Sequence, residues 1–147
     1  MAAAHRHTFR ELATAIDGAF ARWDHAHVHQ FWLADGSHVS QPGPDDDPGE
    51  PTLGSLRLTL SQPGEGFAYE FDFGDSWLHL CTVGEQRIDP EEELGIVPAQ
   101  PTACWGWGAL PDQYGRRWDD DDGESKSLTD TNDADLPPIG PWQWRRS

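Results

Sequence analysis

Glu70, Asp72, Trp77, His79 and Cys81 are the residues of this chain whose types and spacing best suit chemistry. They sit in the stretch Phe67-Ala-Tyr-Glu-Phe-Asp-Phe-Gly-Asp-Ser-Trp-Leu-His-Leu-Cys-Thr82. Phe67, Tyr69, Phe71 and Phe73 alternate with Ala68, Glu70 and Asp72, the period-two pattern of a half-buried strand. Gly74-Asp75 supplies a two-residue turn, and alternation resumes through Trp77, Leu78, His79 and Leu80. With Gly74 and Asp75 at the centre of the turn, Phe71 faces Leu78, Asp72 faces Trp77 and Glu70 faces His79. Tyr69, Phe71, Phe73, Leu78 and Leu80 then form a core face. The opposite face gathers two carboxylates, an indole, an imidazole and a thiol, which core packing does not require. The site is expected on that face.

Two other groups carry chemistry by type. His25-Ala-His27-Val-His29 places three imidazoles on one face of an extended segment, about 6.5 to 7 Å apart. Imidazoles at that spacing suit Zn²⁺ or Ni²⁺, and they equally make an ordinary strand face beside a helix. The chain also holds eight tryptophans in 147 residues. Trp32, Trp105, Trp107, Trp142 and Trp144 can line a groove for a peptide or flat ligand, or can replace missing secondary structure in the C-terminal half. No nucleophile elbow, P-loop or Rossmann glycine motif occurs, so no catalytic residue is assigned. Gly106-x-Gly108 is flanked by tryptophans and lacks a βαβ setting.

Composition narrows the partners. A formal net charge of −16 argues against nucleic acid and against an anionic membrane, since both are held by Lys and Arg. Metal cations, basic proteins or simple solubility stay compatible with it. The acidic runs 45–47, 91–93 and 119–122 read as solvated loop. No run of roughly 18 apolar residues is present, so no membrane span is expected. The N-terminus lacks a signal-peptide apolar region, and Cys81 and Cys104 form no CxxC. Free thiols in a reducing cytoplasm are the expectation, with a structural disulfide as the alternative.

The elements that must position these residues follow from periodicity. Thr8 and Glu11 form a capping box ahead of Phe9, Leu12, Ala13, Ile16, Ala19, Phe20 and Trp23, one apolar helix face ended by Asp24. Residues 27–33 read as a strand, turned back by Asp35-Gly36 into His38-Val39. Residues 41–51 hold too much Pro, Gly and Asp for regular structure. Leu56, Leu58 and Leu60 alternate as a further short strand. Asp89-Pro90-Glu91 starts a helix that Gly95 closes. Beyond Pro98 the periodicity disappears.

Three blocks of the sequence resemble the plasmid pRiA4b ORF-3-like family, whose members are also described as passenger proteins of insertion elements. They are Trp23-Asp24-x-x-His27-Val28-x-x-Phe31, the specific block Tyr69-x-Phe71-Asp72-Phe73-Gly74-Asp75-x-Trp77-x-His79, and the actinobacterial-type segment from Gly106 to Trp118. The resemblance implies an α+β fold and fixes no reaction. Many members carry a strand with Pro-x-x-Trp-Arg ahead of the first helix, which this chain lacks. Many also carry Pro-Pro-Glu-Asp-x-Gly-Gly, where Leu110 to Arg116 here keep one carboxylate and one glycine. The polar residues matching the family blocks are His27, Asp72, Asp75 and His79. They admit a His/Asp metal site, an acid–base pair shielded by Trp77, or purely structural bonds. In the structural version Asp75 caps the turn, Asp72 accepts from the Trp77 indole, and His79 pairs with Glu70. The mobile-element association invites a recombinase or nuclease, but the arginines are few and scattered and no basic track for DNA exists.

The sequence therefore predicts one α+β domain over residues 1–118 and an acidic, Pro-rich tail over 119–147 with a Trp-containing end. A main N-terminal helix packs on a small, mostly antiparallel sheet built from residues 27–39, 55–60 and 67–83. The expected function is a non-enzymatic cytoplasmic binding module for an unknown protein or small ligand. No cofactor is expected. The alternative is a metal-dependent hydrolase whose divalent ion is held by His27, His79, Asp72 and Asp75.

Overall fold

The computed structural model describes residues 1–43, 51–60, 62–104, 106, 110 and 112–114. Helix α1, Phe9–Ala19, starts where the sequence places it: Glu11 N donates to Thr8 Oγ1, and Thr8 N donates to Glu11 Oε2 at 2.6 Å. Two more first-turn amides find acceptors in the chain 53–56, Phe9 N on Leu56 O and Arg10 N on Leu53 O. Leading N–H groups have no partner inside a helix, and this segment supplies them. It explains the first correction. The Leu56–Leu60 alternation is not a sheet strand but a helix clasp, touching the N-cap through a single bridge between Thr8 and Arg57.

The sheet has four strands, β1 His29–Trp32, β2 His38–Ser40, β3 Gly66–Phe71 and β4 Trp77–Thr82, in the order β2-β1-β3-β4. All neighbours are antiparallel. Asp35-Gly36 turns β1 into β2 as expected, with Gly36 at φ +86° and the Asp35 carboxylate accepting from Ser37. Across the inner face run the paired rows Val39–Phe31–Tyr69–His79 and His29–Phe71–Trp77. Phe9, Leu12, Ala13 and Ile16 of α1 cover this face, together with Leu53 and Leu58. Phe31 stacks between them, 5.1 Å from Phe9 and 4.8 Å from Tyr69.

The second correction concerns the β3–β4 hairpin. Phe71 pairs with Trp77, Glu70 with Leu78 and Tyr69 with His79. The connection is the five-residue loop 72–76, not the two-residue Gly74-Asp75 turn. Asp72 and Ser76 both adopt left-handed backbone, φ +57° and +53°. Asp72 Oδ1 accepts from Gly74 N, and Asp72 O accepts from Ser76 N. Slipping the pairing by one residue reverses every side chain of a strand. Trp77, His79 and Cys81 therefore face α1, while Leu78 and Leu80 face outward, 51% and 40% exposed. Phe73, expected in the core, is also exposed.

A third correction falls at the end of α1. The helix stops at Ala19, before Asp24. Ala21 turns left-handed (φ +53°) and Arg22 N reaches back to Asp17 O. That turn carries Arg22 inward, where it is buried, and leaves Phe20 and Trp23 exposed. The short helix α2, Pro90–Leu94, has the predicted Asp89 cap and ends on Gly95 at φ +67°. Residues Met1–Trp105 form one compact unit. Trp105, Trp107, Trp142, Trp144 and the tail 119–147 lie outside the described residues, and no described helix is long and apolar enough to cross a membrane.

Candidate functional site

The predicted set divides among three places. His27 and Asp72 meet. Asp72, at the first residue of the hairpin loop, is tied to β1 by its amide, which donates to Val28 O. Its Oδ2 lies 3.2 Å from His27 Nδ1, and the other ring nitrogen, Nε2, lies 3.4 Å from Asp24 Oδ2. The ring stands edge-on to Phe71 at 5.8 Å. Both imidazole nitrogens thus face carboxylates of this chain, which leaves neither directed at a substrate proton. Asp75 lies exposed in the loop.

His79 sits one layer in. Its Nδ1 is 3.2 Å from Tyr69 O, so the Nδ1 proton is donated to that carbonyl, and its ring packs against Phe20 at 4.6 Å. Burial pushes its basicity down. The expected partners of the structural version are therefore replaced. His79 bonds a backbone carbonyl and not Glu70, and Asp72 accepts from Gly74 and not from Trp77. The Trp77 indole N–H has no partner among the described residues. Trp77 instead lays its ring under the Arg22 guanidinium, 4.2 Å from the centroid, a cation–π contact.

Around His79 the inner face holds polar groups the sequence reading missed. Asp17 projects from the buried stripe of α1, and both its oxygens accept from Tyr69 Oη, at 2.9 and 3.0 Å. Burial pushes the Asp17 carboxyl up, with the Tyr69 bond opposing, and it pushes the Tyr69 phenol up strongly. Burial likewise lowers the His29 imidazole, with the Asp17 charge opposing. Asp17 falls one residue after Ile16 and four after Ala13, a carboxylate on the helix's apolar stripe, and that position was the available signal. Cys81 is no nucleophile here, since burial pushes its thiol up to about 12. Among the described residues no three His, Cys, Asp or Glu side chains are grouped to hold a metal ion.

The third place is the outer face of the sheet. Gln30, Glu70 and Leu78 are paired across β1, β3 and β4. Glu70 Oε2 accepts from Gln30 Nε2 at 2.8 Å and from Trp32 Nε1 at 3.2 Å, and Oε1 accepts from Ser76 Oγ at 2.9 Å. Burial opposes ionisation, but the bonds from Gln30, Ser76 and Trp32 together outweigh it and hold the carboxyl below the usual range. Trp32, predicted as a binding aromatic, stacks on His38 at 5.6 Å beside this carboxylate.

No curated protein and no solved structure matches the chain. The family model of plasmid pRiA4b ORF-3-like protein matches residues 2–126, spanning the hairpin, α1 and all four strands, and the chain belongs to that family.

Proposed function

We propose that this protein is a non-enzymatic binding module that takes an extended segment of another protein along the β3–β4 hairpin. The observation carrying this reading is the outward pair Leu78 and Leu80 on β4, the last strand in the sheet order. Among the described residues no strand pairs with the far side of β4. An edge strand with unpaired backbone groups is the structural requirement for strand addition, in which backbone bonds give affinity and contacts to alternate side chains, here offered by the leucines, give specificity. The large negative charge keeps identical copies apart and leaves the edge for a different partner. A hydrolase needs converging acid, base or ligand groups. Here His27, Asp72 and His79 are bonded within the fold, in two separate places.

Selection from a random peptide library tests the reading. The intact protein should enrich peptides that a Leu78→Ser/Leu80→Ser variant of equal melting temperature does not. Equal enrichment by both proteins, or enrichment of nothing by the intact one, would defeat the proposal.

A further inference from the structure

We infer that the segment taken by the hairpin is basic, and that one arginine or lysine of it binds the Glu70 carboxylate on the outer face. The inference rests on the binding reading above and names the partner's chemistry. Glu70 is set apart from the other acids of this chain by three neutral donors, Gln30, Trp32 and Ser76, that fix its position and hold it ionised. None of them carries charge. Among the described residues no arginine, lysine or histidine is placed against the Glu70 carboxylate. Among the described residues the sheet therefore presents an oriented negative charge with no cation set against it.

The count of lone pairs agrees. An ionised carboxylate offers about four acceptor sites. Three are filled, two on Oε2 and one on Oε1, so Oε1 retains one for an incoming donor. The surroundings suit a long cationic side chain. Leu78 is directly paired with Glu70 and exposed, a support for the apolar stem of arginine or lysine. Trp32 supplies an aromatic surface next to the charge. A strand added beyond β4 lies about 4.8 Å from it, so its outward side chains reach across Leu78 toward β3. Charge complementarity favours the same partner over any acidic one, given a net charge of −16.

The test uses the full chain and two synthetic peptides, one alternating valine and arginine, the other valine and glutamine. Binding is followed by NMR at the Trp32 indole N–H and the Leu78 and Leu80 methyls. The arginine peptide should shift all three and bind about tenfold tighter than the glutamine peptide, the size of one charge-assisted hydrogen bond. Glu70→Gln should remove that preference. Glu92→Gln, which removes an exposed charge on α2, should leave it intact and so separate a local site from general attraction to an acidic protein. If Glu70→Gln does not fold, contacts between arginine Hδ protons and the Trp32 ring in the unaltered protein decide. Their absence from the complex counts against the inference. Equal affinity of the two peptides, with the leucine methyls shifting, overturns the basic-partner inference and keeps the binding module. Methyls unmoved by either peptide overturn both.

Discussion

Replacing Tyr69 with phenylalanine isolates the buried polar contact at the centre of the domain. The phenol proton lies between the two Asp17 oxygens at 2.9 and 3.0 Å, so it makes one shared bond to a carboxylate. A hydrogen bond to a charged group contributes about 1.5–3 kcal/mol, and here its loss strands a buried carboxylate. Tyr69→Phe should therefore destabilise the protein by about 2 kcal/mol at neutral pH, a fall of roughly 8 °C in Tm at about 4 °C per kcal/mol. The pH dependence fixes the cause. Asp17 has its folded pKa raised above the ordinary 3.8 by burial, so its contribution to stability is complete at low pH and lost as pH rises through the folded value. The Tyr69 bond opposes that rise, and removing it lifts the folded value further. The variant's deficit must then grow with pH across this window. Urea titrations of wild type, Tyr69→Phe, Asp17→Asn and the double variant, run from pH 8 downward, give the difference directly. In the Asp17→Asn background the tyrosine bond is neutral and its loss should cost about 1 kcal/mol or less. A deficit that is independent of pH, or as large in the Asp17→Asn background as beside the native carboxylate, would refute the reasoning.

Three further outcomes follow from the same structure. Phe71→Ala should cost about 3–5 kcal/mol and Leu78→Ala less than about 1, because Phe71 is fully buried and Leu78 half exposed; the reverse order in chemical denaturation would restore the two-residue turn. Burial lowers both His29 and His79, so stability should be complete above about pH 6.5 and fall as pH drops below it, and His79→Gln should flatten that slope in melting curves between pH 7.5 and 5.5; an unchanged slope counts against a neutral His79. Thr8→Ala removes half of the capping box and should lower stability by about 1 kcal/mol, measured by urea titration, with no effect meaning that the 53–56 clasp alone holds the helix start.

What the residues disclosed depended on how local the deciding interaction was. The α1 start was legible because Thr8 and Glu11 satisfy each other three residues apart. The Asp35-Gly36 turn and the Asp89 cap were legible for the same reason. Within the candidate set, His27 and Asp72, which lie in different family blocks, meet, whereas His79 is directed to the backbone of β3. The end of α1 was not legible, since Ala21 carries no mark of left-handed backbone and the turn goes with long-range contacts of Arg22, among them those with Trp77 and Phe71. The Leu56–Leu60 alternation misled because period two describes any extended chain, including one that serves a helix terminus.

The register of β4 is where misreading and function meet. Its two faces, Trp77-His79-Cys81 and Leu78-Leu80, are both apolar enough to be buried, so the pattern alone could not choose. Hydrophobicity favours the leucines, since burying each contributes about 1.5–3 kcal/mol, and at 51% and 40% exposure roughly half of that is forgone. The fold does the opposite. It holds His79 inside through Tyr69 O, covers Arg22 with Trp77, and fixes the choice with two left-handed residues in the loop. The inner contacts account for why Trp77 and His79 are in. They give no reason for leucines on the outside, where serine or threonine would suit a strand equally and expose no apolar surface. The partner proposed above would supply that reason by covering Leu78 and Leu80. The Glu70 carboxylate beside them, with no cation against it among the described residues, is the group that its basic side chain would meet.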